Sequence, residues 1–257
     1  MLILLPPSEG KNAPRRGARL DPASWPDDLS APRRQVLDSL VEVCRTDPED
    51  AVRALKLSAG LAGEVQRNAE VYDAPTARAD HVYAGVLYDA LDLASLDEAA
   101  RRRATRWLAV TSSVFGLLRP AERIPAYRLS GDVTLPGLGS VAGHWRTHLG
   151  PVVERMVGDG LLVDMRSGTY QAFWRPGPEL APRTATVRVL HEAGGKRSVV
   201  SHFNKATKGR IVRAMLVDGT APRTPAALAE HLTRLGWRVE VAPEKSGTRL
   251  DVVVTEV

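Results

Sequence analysis

Apolar runs punctuate this chain at short intervals, and each is followed by turn-forming or charged residues. Leu2-Ile3-Leu4-Leu5 has no polar position, so it predicts a strand buried on both faces. Leu108-Ala109-Val110-Thr111 and Leu161-Leu162-Val163-Asp164-Met165 read the same way. Two alternating runs, 184–191 and 197–203, flank Gly194-Gly195 and predict a β-hairpin. Two further strands are expected at about 237–242 and 249–255.

Helical signals fill the intervals. Asp47-Pro48-Glu49-Asp50 predicts a helix start, with proline in the first turn and acids complementing the dipole. A helix is expected from Ser58 to Tyr72. Ser95-Leu96-Asp97-Glu98 reads as a capping box opening a helix to about Trp107. Ser140 to about Val157 is expected to be helical. Asn204 is expected to cap a helix to about Val217, and Thr224-Pro225 to open one closed by Gly236. The proline-rich stretch from Pro6 to Pro32 is expected to wrap the surface. With no strong linker and no repeat, residues 1–257 read as a single compact mixed α/β (α+β) domain. Its sheet is expected to be mixed, opening βαβ-like and ending in antiparallel hairpins.

Composition adds bounds rather than structure. The 257 residues are 44% hydrophobic and 25% charged, ordinary for a globular chain. Net charge is +5, which favours anionic partners, DNA or a small anionic ligand. No stretch is long and apolar enough to span a bilayer, and the opening strand lacks a basic leader, so the protein reads as cytoplasmic with no membrane partner. Cys44 is the lone cysteine and is expected to be a buried structural thiol. No cofactor is implied.

Candidate chemistry lies in five segments. Pro6-Pro7-Ser8-Glu9-Gly10-Lys11 follows a strand directly, where α/β proteins place ligands. It is not a phosphate-binding P-loop, because Leu5 and Asn12 stand where that motif needs glycine and a hydroxyl. Ser8 and Lys11 remain candidates for a looser anion-binding turn. Two proline-stiffened loops present Arg119 and, further on, Tyr127 and Arg128, whose guanidinium forks suit phosphate or carboxylate. Ser201 to Arg210 carries Lys205 and Lys208, three apart on one helix face near its N-terminus, where a bound anion would offset their conflict with the dipole. From Lys196 to Arg213 there are six Lys or Arg residues and no acid.

The run Val82 to Leu91 contains Tyr83, Gly85 and Tyr88. It reads either as a packing turn or as a helix-hairpin-helix with one glycine where that module has two. His144 and His148 are spaced for a shared zinc, but Trp145 stands where the metalloprotease motif needs glutamate and no third ligand is evident, so no metal is expected.

Taken in order, these segments resemble one known family. Pro-Pro-Ser-Glu-Gly-Lys after the first strand, Val82-Tyr83-x-Gly85-x-x-Tyr88 and Ser113-x-x-Gly116-x-x-Arg119-Pro120 are similar to the bacterial YaaA peroxide-stress family. So are Pro125-x-Tyr127-Arg128-Leu129, Trp145, Ser167-x-x-Tyr170 and Phe203-x-Lys205-x-x-Lys208-Gly209. The resemblance runs from residue 1 to about 254. It implies one compact α/β fold with a positively charged cleft. It also implies a part in the response to hydrogen peroxide, by limiting free iron and oxidative DNA damage, and DNA binding through a hairpin-like element. An alternative is an enzyme acting on a small phosphorylated or nucleotide-like ligand in the same cleft. In that case Ser8, Lys11, Tyr83, Arg119, Tyr127, Arg128, Ser167, Tyr170, Lys205 and Lys208 are expected to converge, with lysine and tyrosine pKa values lowered for acid–base work.

Overall fold

Leu2–Leu5 forms β1, and all four side chains are buried at the centre of an eight-stranded sheet. This computed structural model describes residues 1–255, without the side chains of Asp27 and Ser201. The remaining strands of the sheet are β2 (Leu108–Ser112), β3 (Gly116–Leu118), β4 (Leu162–Asp164), β5 (Thr184–Ala193), β6 (Lys196–Ser198), β7 (Arg238–Glu244) and β8 (Gly247–Val254). Their order is β7-β8-β5-β4-β1-β2-β3, with β6 on the flank of β5. The five inner strands, β8, β5, β4, β1 and β2, are mutually parallel. Antiparallel β7, β3 and β6 finish the edges. The last hairpin therefore does not stand apart, as its β8 strand continues the parallel sheet.

Ten α-helices surround this sheet among the described residues: α1 (Asp27–Thr46), α2 (Pro48–Ala54), α3 (Gly63–Ala69), α4 (Ala79–Val82), α5 (Val86–Leu91), α6 (Glu98–Trp107), α7 (Val141–Val157), α8 (Gly168–Gln171), α9 (Ser201–Asp218) and α10 (Pro225–Arg234). Asp47, Ser140 and Thr224 cap α2, α7 and α10 with their side chains, as their positions predict.

The expected boundaries shift in five places. The surface-wrapping stretch ends early, because α1 begins at Asp27 and carries Pro32 inside it. The buried Arg33 beside that proline pins α1 to β3, donating to Phe115 O at 2.9 Å and Leu117 O at 2.6 Å and pairing with Glu122. The helix expected over Ser58–Tyr72 is a 3-10 turn, Ala59–Leu61, followed by α3 alone. The cap of α6 is Asp97, whose carboxylate accepts from Ala100 N at 2.7 Å, while Ser95 sits in a preceding 3-10 turn. The Gly194-Gly195 hairpin has both glycines at positive φ, but its second strand stops at Ser198. Finally, α9 starts at Ser201, so Asn204 lies in its first turn and Lys205 and Lys208 lie in its second and third. The first four amides of a helix carry most of its anion affinity, so the dipole conflict is weaker than the sequence implies.

Chain direction places the site. From β1 the chain leaves toward β2, whereas from β4, on the other side of β1, it leaves toward β5. The crevice at the carboxyl ends of β1 and β4 is thus a topological switch point, where open parallel sheets bind ligands. Helix α9 closes the crevice by packing directly on α5. Gly209 permits this approach, since a Cβ there would stand 2.3 Å from Leu87 O. In an open helix alanine is favoured over glycine by about 1 kcal/mol, but here a backbone oxygen occupies the space.

Candidate active site

A pocket of about 710 Å³ opens at this switch point. One wall is the loop after β1, from Pro6 to Asn12. The opposite wall follows β4 and includes Met165, Ser167 and Tyr170. The turn Ala84–Tyr88 and the side chains of Asn204, Lys205 and Lys208 on α9 complete it.

The loop after β1 is stiffened by its neighbours. Asn12 N donates to Val82 O at 2.8 Å, and the Tyr88 hydroxyl donates to Pro6 O at 2.7 Å. Ser8 Oγ donates to Gly10 O at 2.6 Å and accepts from Ala84 N at 3.1 Å. Ser8 is therefore a loop tie at the pocket wall.

Lys11 is the chemical centre of this arrangement. Its Nζ donates to Ser8 O at 2.8 Å and Glu9 O at 3.4 Å, and lies 4.0 Å from the centre of the Tyr127 ring. The Glu9 carboxylate turns elsewhere, accepting from the Tyr170 hydroxyl at 3.2 Å and pairing with Arg128 at 3.5 Å. Among the described residues no carboxylate forms an ion pair with Lys11. Desolvation by burial, partly offset by the Glu9 charge and reinforced by Arg128, lowers its pKa to about 7.

Behind the lysine the Tyr83 and Tyr127 hydroxyls lie 3.0 Å apart, and Tyr127 continues to Ser112 Oγ at 2.7 Å. Both rings are buried. Burial pushes the Tyr127 phenol up to about 12 and those of Tyr83, Tyr88 and Tyr170 upward as well. This corrects the expectation of lowered tyrosine pKa values: these phenols stay protonated at neutral pH and serve as hydrogen-bond partners. Only Lys11 and Lys208 move in the expected direction.

A buried network supports the β4 side. Arg166 grips Asp164 with two bonds, Nε to Oδ1 at 2.9 Å and Nη2 to Oδ2 at 2.8 Å, and donates also to Tyr170 O and Trp174 O. Lys208 Nζ donates to Met165 O at 3.0 Å and Arg166 O at 3.4 Å. Burial lowers its pKa to about 8, against the raising effect of Asp164. Lys205 is exposed at the pocket edge.

Of the ten sequence candidates, Ser8, Lys11, Ser167, Tyr170, Lys205 and Lys208 line the pocket. Tyr83 and Tyr127 back it through Lys11, and Arg128 reaches it through Glu9. Arg119 lies elsewhere. Its guanidinium donates to Arg106 O and Leu108 O, capping the carboxyl end of α6 at the start of β2, the end of the sheet opposite the pocket. Other basic residues of the 196–213 run also disperse: Arg197 pairs with Glu192 and Glu240, and Arg213 binds Leu91 O, Asp92 and Ser95.

Sequence reasoning passed over Glu9, Ser112, Asp164 and Arg166 as site residues. The signal for the last two was an acid inside an otherwise apolar strand, which requires a buried partner. His144 and His148 lie ring to ring on α7, with His144 Nε2 donating to Pro32 O at 3.1 Å. Cys44 is buried, and its thiol is pushed up to about 11 by desolvation.

The lysine distribution is informative. The chain carries six lysines among 35 basic residues, and three of the six line this one pocket. Arginine supplies most of the positive charge elsewhere. Of these two cations, only lysine can lose its proton near neutral pH, when burial lowers its pKa.

Comparison with known proteins finds relatives over the whole chain. A family model described as "Peroxide stress protein YaaA" matches residues 1–241. A UPF0246 protein of Streptomyces coelicolor is 55% identical over the full length of both chains. A UPF0246 protein of Corynebacterium efficiens is 37% identical, covering 98% of this chain and all of the relative. No helix among the described residues is long and apolar enough to cross a membrane.

Proposed function

We propose, for a chain that belongs to the YaaA peroxide-stress family, that the switch-point pocket binds a small phosphorylated or nucleotide-like anion and acts on it. Lys11 is the group that exchanges protons with the ligand. One observation carries this reading: an amine at the pocket wall, paired with no carboxylate among the described residues and held near pKa 7. A group balanced at working pH is suited to donate and accept protons. The volume of about 710 Å³ suits a nucleotide-sized ligand. Lys205 and Lys208 supply the charge for its phosphate.

DNA binding is the second reading, favoured by the net charge of +5 and by exposed Lys205 at the pocket edge. The Gly85 turn between α4 and α5 contributes little to it. Its amides are already used, Ala84 N by Ser8 Oγ and Gly85 N by Asp89 Oδ1 at 3.2 Å, and the Asp89 carboxylate repels phosphate.

Thermal melts at low salt with inorganic pyrophosphate, ADP or a short DNA duplex separate the two readings. A small anion at one hundred times its Kd is expected to stabilise the protein by about 2.7 kcal/mol, roughly 5–10 °C for a chain of this size. Lys205→Ala should reduce that shift. A response to DNA alone, with log affinity falling steeply against log salt, transfers the function to the DNA reading. No shift with either small anion removes the pocket reading.

A further inference from the structure

We propose that Lys11 Nζ is a nucleophile that forms an imine with the carbonyl carbon of a phosphorylated aldehyde or ketone held in this pocket. The proposal rests on the reading of the pocket as a small-anion site and narrows its substrate class. Donor counting supports it. An ammonium has three N–H donors, whereas a neutral amine has two and a lone pair. Lys11 has two acceptors, the carbonyl oxygens of Ser8 and Glu9. These satisfy a neutral amine's donors and leave its lone pair for an electrophile.

Lys208, a buried amine of the pocket, likewise has two carbonyl acceptors, those of Met165 and Arg166, and is distinguished by the charge of Asp164, which favours its cation. Lys208 and the exposed Lys205 are thus the phosphate side of the pocket, and Lys11 is the carbonyl side.

The step balances without an oxidant or reductant. The Lys11 lone pair attacks the carbonyl carbon, a C–N bond forms, and the carbonyl π electrons move to oxygen. That oxygen takes the proton released by nitrogen, giving a carbinolamine. Protonation of its hydroxyl then expels water and leaves a C=N–H⁺ iminium. Lys11 is part-buried on the wall of the open pocket, so these protons exchange with solvent there. The Tyr127 ring, 4.0 Å from Nζ, stabilises the cationic product through its π face. Buried pockets and neighbouring cations are the two means by which lysines become imine-forming nucleophiles.

The test uses pyridoxal 5′-phosphate as a phosphorylated aldehyde probe, pyridoxal as the same aldehyde without phosphate, and borohydride to reduce any imine. The full chain is treated at pH 7.5 and the adduct is located by peptide mass mapping. The expected result is one adduct per chain, on Lys11, formed at least tenfold more with the phosphorylated probe and suppressed by inorganic pyrophosphate. Lys205→Ala should keep the Lys11 adduct and reduce the phosphate preference, Lys208 remaining. Lys11→Arg should give no adduct while still melting cooperatively. Label spread over Lys56, Lys196 and Lys245, with Lys11 unmodified, overturns the proposal. If pyrophosphate still stabilises the protein in that case, the anion-pocket reading survives and only the imine falls. If pyrophosphate has no effect and Lys11 is unlabelled, both fall.

Discussion

Lys11→Met is expected to abolish the action of the pocket on its ligand while leaving the protein at least as stable as wild type at pH 7. Folding takes the Lys11 amine from an unfolded pKa near 10.5 to about 7. Between these values the unfolded chain holds a proton that the native state lacks. Wild-type stability therefore rises with pH through this window, by up to about 1.4 kcal/mol per pH unit. The penalty of the buried cation is fully present below pH 7 and vanishes above pH 10.5. Methionine removes the penalty and the slope together, losing two hydrogen bonds to backbone carbonyls and the ammonium's contact with the Tyr127 ring. Urea unfolding of both proteins at pH 7 and pH 9 should show wild type gaining about 2 kcal/mol on the variant. Lys208 contributes a slope of the same sign from about pH 8 upward in both proteins, so it cancels in the difference. Parallel pH profiles would mean that Lys11 is an ordinary solvated lysine.

Asp164→Asn is expected to destabilise the protein by about 3–5 kcal/mol, the scale for breaking one partner of a buried ion pair. The Asp164 and Arg166 side chains are 4% and 1% exposed, so no water replaces the lost carboxylate. Burial alone would push the Asp164 carboxyl upward, but the charge and hydrogen bonds of Arg166 outweigh it and hold the pKa below the usual range. A carboxyl lowered on folding stabilises the native state above its unfolded pKa, and that contribution fades as pH falls through the folded value. The variant should lose this part of the acid sensitivity. Because Arg166 also holds the carbonyls of Tyr170 and Trp174, the pocket wall after β4 should loosen with it. Chemical unfolding at pH 7 and pH 3 checks both points.

What the sequence made legible follows from how local each signal is. β1, β2 and β4 are short apolar runs whose neighbours leave no other role for them, and they lie where their pattern predicts. The caps at Asp47, Ser140 and Thr224 act within three residues and were readable for the same reason. The cap before α6 is Asp97 and not the expected Ser95, because a 3-10 turn holds Ser95 to Asp92. The start of α9 was hidden because the alternation through Phe203 imitates a strand; contact with α5 through Gly209 overrides it.

The site was readable as a set of residues but not as a geometry. Six of its members line the pocket because they follow parallel strands or sit on α9. Arg119 had the same local look, a basic residue in a proline-stiffened turn, yet it faces the other end of the sheet. Strand polarity, a tertiary property, decides between those ends. Nothing local to Glu9 announces that its carboxylate turns to Tyr170 and Arg128 and leaves Lys11 unpaired.

The most direct measurement is the titration of Lys11 itself. Reductive ¹³C-methylation labels the six lysines, and NMR follows each from pH 6 to pH 11 with Lys11→Arg as the assignment control. The expected result is a Lys11 midpoint near pH 7, raised when inorganic pyrophosphate fills the pocket. A Lys11 midpoint above pH 9, unmoved by pyrophosphate, would contradict it.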